Sequence, residues 1–204
     1  LDPNSNRPLG TYLFTGPTGV GKSETTKAIA ASLYPGEKVL LNINMPDYKT
    51  PDHEPGFRKR LGEAVRHTPN SIVLFDELEK AHETVLDSLL AILDEGVVTF
   101  EMENREGNVE VNQVSLRNTI VVATTNAGSE IFNNDAKYSQ RDVGSSALLN
   151  NAEIQRLQQA LRPYLIASGF KPELLGRFNR IIPYRGLSEG ELLQIAEAKI
   201  NNLI

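Results

Sequence analysis

The chain reads as an α/β protein, a three-layer αβα sandwich built on a mostly parallel sheet. Three observations carry this. Strand patterns alternate with helix patterns along the 204 residues, the order that parallel strands with crossover helices require. Two of the strands, Ser71-Ile72-Val73-Leu74-Phe75 and Thr119-Ile120-Val121-Val122-Ala123, are continuous apolar runs, as expected where a sheet is covered on both faces. A glycine-rich turn joins the first strand directly to the first helix.

That turn is Gly16-Pro17-Thr18-Gly19-Val20-Gly21-Lys22-Ser23, after a strand at about residues 12–15. It fits the phosphate-loop pattern Gly-x4-Gly-Lys-Ser/Thr in the strand–turn–helix setting the pattern needs. Its glycines let backbone N–H groups face inward around anionic oxygens, and the helix over 22–33 adds its positive dipole end. Lys22 is suited to the β- and γ-phosphates and the Ser23 hydroxyl to Mg²⁺.

A second strand is expected over 38–43 and a helix over 57–66. The strand over 71–76 ends in Asp76-Glu77, and ligands bind at the C-terminal edge of open α/β sheets. Asp76 is therefore assigned to the Mg²⁺ shell. Glu77, turned elsewhere by the pleat, is assigned to orienting and deprotonating the attacking water. The same two acids would also suit the first turn of a following helix.

That helix carries Leu78, Ala81, Val85, Leu89, Ile92 and Leu93 at helical spacing and stops at Gly96. The polar stretch 99–114 suits a hairpin. The strand over 119–126 ends in Asn126, which reaches the γ-phosphate or the attacking water if its strand lies beside the phosphate-loop strand. Residues 133–151, rich in Asn, Asp and Ser, read as a mobile surface loop. A helix over 152–166 and a strand over 180–184 complete the set.

Composition narrows the function. Hydrophobic content of 40% and charged content of 23% are those of a globular domain. No apolar run approaches the ~18 residues of a membrane span, and no signal-peptide pattern opens the chain. The absence of cysteine excludes disulfides and thiolate metal sites and agrees with a reducing, cytoplasmic setting. A net charge of −5 argues against nucleic acid as the main partner. His53 and His67 are not clustered as metal ligands, and His82 reads as a structural helix residue. The chain opens abruptly and closes in an amphipathic helix with a capping box at Ser188 and Glu191, so a fragment of a longer polypeptide is expected.

These motifs, in this order, resemble the AAA+ ATPases, and in particular the second ATPase module of the Clp/Hsp100 unfoldases and disaggregases. The matching text includes Arg7-Pro8-Leu9-Gly10, the phosphate loop, Asp76-Glu77-Leu78-Glu79-Lys80-Ala81-His82 and Leu93-Asp94-Glu95-Gly96. It continues in Arg117-Asn118-Thr119, Thr125-Asn126-Ala127-Gly128-Ser129 and Phe170-Lys171-Pro172-Glu173-Leu174-Leu175-Gly176-Arg177.

The resemblance implies an ATPase with ATP and Mg²⁺ as cofactors. Gly16, Pro17, Thr18, Gly19, Val20, Gly21, Lys22, Ser23 and Glu24 would hold the nucleotide, and Ser23 and Asp76 the metal. Glu77, Asn126 and Arg177 would be the catalytic set. Asn126 matches sensor 1, and Arg177 matches the arginine finger that reaches ATP on a neighbouring subunit, with Arg180 its nearby competitor. Residues 1–186 would form the large nucleotide-binding subdomain and 187–204 the first helix of a small helical one. A six-membered ring acting on polypeptides is implied, with room for a protease or adaptor.

One departure concerns the aromatic pore loop. The tetrapeptide usual in the family is missing between the second and third strands, where Tyr48 and Phe57 are the aromatic residues available to replace it. Two other readings stay open at this stage: an AAA+ motor or loader acting on a non-polypeptide substrate, and a nucleotide-dependent scaffold.

Overall fold

The structure, a computed structural model, describes residues 5–104, 106–131 and 151–184, together with 186, 190, 193 and 194. Five strands form one parallel sheet: β1 (Gly10–Thr15), β2 (Leu40–Asn44), β3 (Ile72–Asp76), β6 (Ile120–Thr125) and β7 (Arg180–Pro183), in the order β2-β3-β6-β1-β7. The stretch between β3 and β6 supplies the antiparallel hairpin of β4 (Val97–Glu103) and β5 (Val109–Ser115). The hairpin expected over 99–114 is thus present.

The period-two geometry of the strands sorts their side chains between two cores. Phe14, Ile72, Leu74 and Val122 face one core with Ala30 of helix α1 (Lys22–Leu33). Leu13, Val73, Phe75, Val121 and Ala123 face the larger one. There they meet α2 (Glu54–His67), α3 (Glu83–Glu95), α4 (Asn151–Ala167) and α5 (Pro172–Leu175), through residues such as Leu61, Leu89, Leu161 and Leu175. Helices on both faces of a parallel sheet make the three-layer sandwich that the alternation predicts.

Element bounds differ in one instructive place. Leu78 and Ala81 were expected on α3, but Leu78–Lys80 forms a separate 3₁₀ turn, Ala81 is extended, and α3 begins only at Glu83. His82 is its cap: the ring Nδ1 accepts a hydrogen bond from the Thr84 N–H. Leu78 is still fully buried, so the apolar spacing reported burial correctly but not the backbone. Gly96 ends α3 in the left-handed region with φ 72°, as expected of a helix stop.

The expected surface loop over 133–151 falls almost entirely outside the described residues, as do the cap at Ser188 and Glu191. Among the described residues, no helix is long and apolar enough to cross a membrane.

Candidate functional site

The sheet order brings three strand tips together. β6 lies between β3 and β1, with Phe75 opposite Ala123 and Thr15 opposite Thr125. The turns leaving β1, β3 and β6 therefore meet at one edge, and they enclose an open pocket of about 360 Å³. Thr18, Gly19, Gly21, Lys22, Ser23 and Glu24 line one side, and Asp76, Glu77, Thr124 and Asn126 line the other. The condition set for Asn126, that its strand neighbour the phosphate-loop strand, is met.

The loop conformation follows from glycine. Gly16, Gly19 and Gly21 have φ values of 144°, 82° and 94°, a region that favours glycine over residues with a Cβ. At Gly16 a Cβ would also lie 2.1 Å from the Tyr184 carbonyl oxygen, so no side chain fits. The turn ends at Gly21, the N-cap of α1. The α1 N-terminus faces the pocket with acidic Glu24 in its first turn.

Lys22 is buried, and its Nζ donates to the carbonyl oxygens of Gly16 (2.6 Å) and Pro17 (2.7 Å) and to Asn126 Oδ1 (2.9 Å). Burial pushes its ammonium below the usual lysine range, while the charges of Glu79, Asp76 and Glu77 pull it back up. A phosphate group here would add to the second influence and supply the anion that a buried cation needs. Ser23 Oγ donates to Asp76 Oδ1 at 2.9 Å. A hydroxyl and a carboxylate so paired are the protein ligands that Mg²⁺ uses when phosphates and water complete its shell. The residues present therefore fit both ATP and Mg²⁺.

Glu77 departs from the expectation. It is not turned by the strand pleat, because β3 stops at Asp76 and Glu77 adopts the left-handed conformation with φ 57°. Among the described residues it is the one non-glycine residue with positive φ. Such a backbone costs of order 1 kcal/mol or more and is held only where the surroundings fix it. Here Thr124 fixes it: its Oγ1 accepts the Glu77 N–H at 3.0 Å and donates to Asp76 Oδ1. The strained turn points Glu77 into the same pocket as Asp76.

Two residues of the site were not singled out from sequence. Thr124 is one, since its role depends on β6 neighbouring β3. The other is Glu79, whose Oε1 accepts the Asn126 N–H at 3.2 Å while its Oε2 is buried without a partner. Its signals were its place three residues beyond Asp76 and its inclusion in the Asp76–His82 stretch that carries the resemblance.

Arg177 lies elsewhere. It follows α5, and its carbonyl accepts from Thr11 Oγ1 near the start of β1, at the other end of that strand from the phosphate loop. Its guanidinium pairs with Asp94 at 3.0 Å. Arg180 is exposed at the first position of β7.

Neither aromatic proposed for the pore-loop interval is free. Phe57 is a core residue with no exposure, which corrects its proposed role. Tyr48 is partly buried with its ring edge-on to Phe57, and burial pushes its hydroxyl up.

The sequence matches the AAA domain family (Cdc48 subfamily) over residues 7–181. It is similar to chaperone protein ClpB 2 of Thermosynechococcus vestitus, 35% identical over 97% of this chain and 21% of that protein. ClpB of Staphylococcus epidermidis is 35% identical over 99% of this chain and 22% of its own length. ClpB of Streptomyces albus G is 37% identical over the same shares of 99% and 22%. The chain thus spans about a fifth of the length of the curated relatives it matches. Parallel sheet, phosphate loop, paired acids and this similarity agree: the chain belongs to the AAA family, as an ATPase module of the Clp/Hsp100 kind.

Proposed function

We propose that this module binds ATP with Mg²⁺ at the β1–β3–β6 edge and hydrolyses it inside a ring, six subunits by family habit, that remodels or unfolds polypeptides. The observation that carries the reading is the convergence of Lys22, the Ser23–Asp76 pair, Glu77 and Asn126 on one pocket from three neighbouring strand tips. Gly16 to Glu24 hold the phosphates, and Ser23 and Asp76 hold the metal. When bound, Mg²⁺ neutralises charge on the phosphate oxygens.

The protein's own groups supply the rest. Glu77 accepts a proton from the attacking water, and its anchored backbone keeps the carboxylate aimed. Asn126, tied to Lys22 through its side chain and to Glu79 through its N–H, fixes the far side of the pocket. Arg177 stands away from its own chain's pocket, which suits a finger that completes a neighbour's site and makes turnover depend on assembly.

The ring, the polypeptide substrate, any protease or adaptor and the cytoplasmic setting are proposed on the Clp/Hsp100 resemblance. Residues 1–186 are proposed as the large subdomain and 187–204 as the start of the small one.

Replacing Glu77 by Gln tests the chemistry. The amide keeps size and hydrogen bonding but cannot take a proton. ATP binding, followed by a fluorescent nucleotide, is expected to persist while steady-state turnover falls at least about a hundredfold, the low end for a general base. A Glu77→Gln protein that turns over normally would remove Glu77 from the mechanism.

A further inference from the structure

Asp94 sits in the last turn of α3 and meets two arginines at once. Its Oδ2 lies 3.0 Å from Arg177 and its Oδ1 2.9 Å from Arg7. Arg7 also donates from Nε to the Asp94 backbone carbonyl at 2.9 Å, so it grips both the side chain and the main chain of that residue. Arg177 is only 37% exposed, and its Nε is buried without an acceptor. Among the described residues, Asp94 is the one carboxylate paired with it.

This arrangement requires a close crossing. The Asn6-Arg7 backbone runs so near Gly96 that a Cβ there would lie 2.2 Å from the Asn6 carbonyl carbon. Gly96 has φ 72°, so both its conformation and its surroundings require glycine. The N-terminal segment is thereby laid across the end of α3, where Arg7 can reach Asp94.

A long arginine side chain loses much rotamer freedom when fixed in one direction. Two opposed guanidinium groups sharing one carboxylate leave a net positive charge, so the group stays able to attract an anion.

We propose that Asp94, itself held by Arg7, is the positioning residue for Arg177: it sets the direction in which that guanidinium leaves the surface toward the ATP of the next subunit. The proposal rests on Arg177 acting in trans, as proposed above. It makes Asp94 matter to the neighbour's site and not to its own, which separates it from a residue that merely stabilises α3.

The test mixes variants of the full-length protein within one ring. Asp94→Asn keeps the shape and removes the charge. Alone it assembles and binds ATP, but its turnover falls by about tenfold or more, part of the ~10³-fold effect an arginine finger can carry. Mixed with Glu77→Gln, which has an intact finger and no base, it regains turnover, because each Asp94→Asn site that adjoins a Glu77→Gln subunit receives a properly held Arg177. Arg177→Ala mixed with Glu77→Gln is the reference and regains turnover in the same way.

If Arg177→Ala is complemented and Asp94→Asn is not, Asp94 acts within its own subunit and the proposal is overturned. It is equally overturned if Asp94→Asn alone turns over like wild type. If Arg177→Ala is itself not complemented, the trans finger fails and the proposal falls with it. Should Asp94→Asn not assemble, Arg7→Ala takes its place: Arg7 is exposed, its loss leaves Asp94 and Arg177 in contact, and the same complementation at smaller amplitude is expected. Its absence counts against the proposal.

Discussion

Thr124 shows how much of the site depends on one hydroxyl. It donates to Asp76, which Ser23 also contacts, and accepts the N–H of Glu77 in its strained turn. Thr124→Val has the same shape but leaves that N–H unsatisfied and removes a hydrogen bond to a charged group, a loss of about 1.5–3 kcal/mol. A lowered melting temperature is expected, with turnover reduced about tenfold and a smaller change in KM, since Lys22 and the loop glycines proposed to hold the phosphates are untouched. Unchanged melting and turnover would show that the turn at Glu77 holds itself. The sequence revealed Lys22, Ser23, Asp76 and Glu77 because a phosphate loop and a strand tip are local patterns. It did not reveal Thr124 or Glu79, whose meaning depends on which strands are neighbours. Nor could it show that Asp94 joins Arg7 to Arg177, since all three are far apart in the chain.

Among the elements, α2 and the hairpin pack unusually closely. Gly62 stands in the middle of α2, where alanine would normally stabilise the helix by about 0.5–1 kcal/mol. Here a Cβ would lie 2.2 Å from two ring carbons of Phe100 on β4, itself a core residue. The added methyl overpacks the contact at a cost of about 1–3 kcal/mol, so Gly62→Ala is expected to be destabilising in chemical denaturation. Adding Phe100→Leu should recover part of the loss. A stabilised single variant would mean that β4 shifts freely over α2. Strand positions were legible because buried parallel strands are unbroken apolar runs. The start of α3 was not, because Leu78 fits both a helix face and the buried 3₁₀ turn that the conformation of Glu77 imposes. The hairpin was only suggested, because Val109 and Val111 face solvent, so the apolar positions of β5 do not mark a buried face.

For the whole molecule, alternation of strands and helices gave the layers, and two cores on opposite faces of the sheet bear that out. Alternation does not give strand order. That β6 separates β3 from β1 is a tertiary fact, and it alone places Asn126 against Lys22. The same topology puts Arg177 by the start of β1 and the phosphate loop at its end, so under the proposed trans role one chain would hold two parts of a site that it cannot bring together alone. Hydrolysis should then depend on assembly. The most direct measurement is steady-state ATP turnover per subunit against concentration of the full-length protein, for wild type and Arg177→Ala. A finger acting in trans predicts that wild-type turnover rises as the ring forms, while Arg177→Ala binds ATP and assembles but stays near the dilute rate at every concentration. Wild-type turnover independent of concentration while the ring dissociates, or Arg177→Ala as active as wild type, would contradict it.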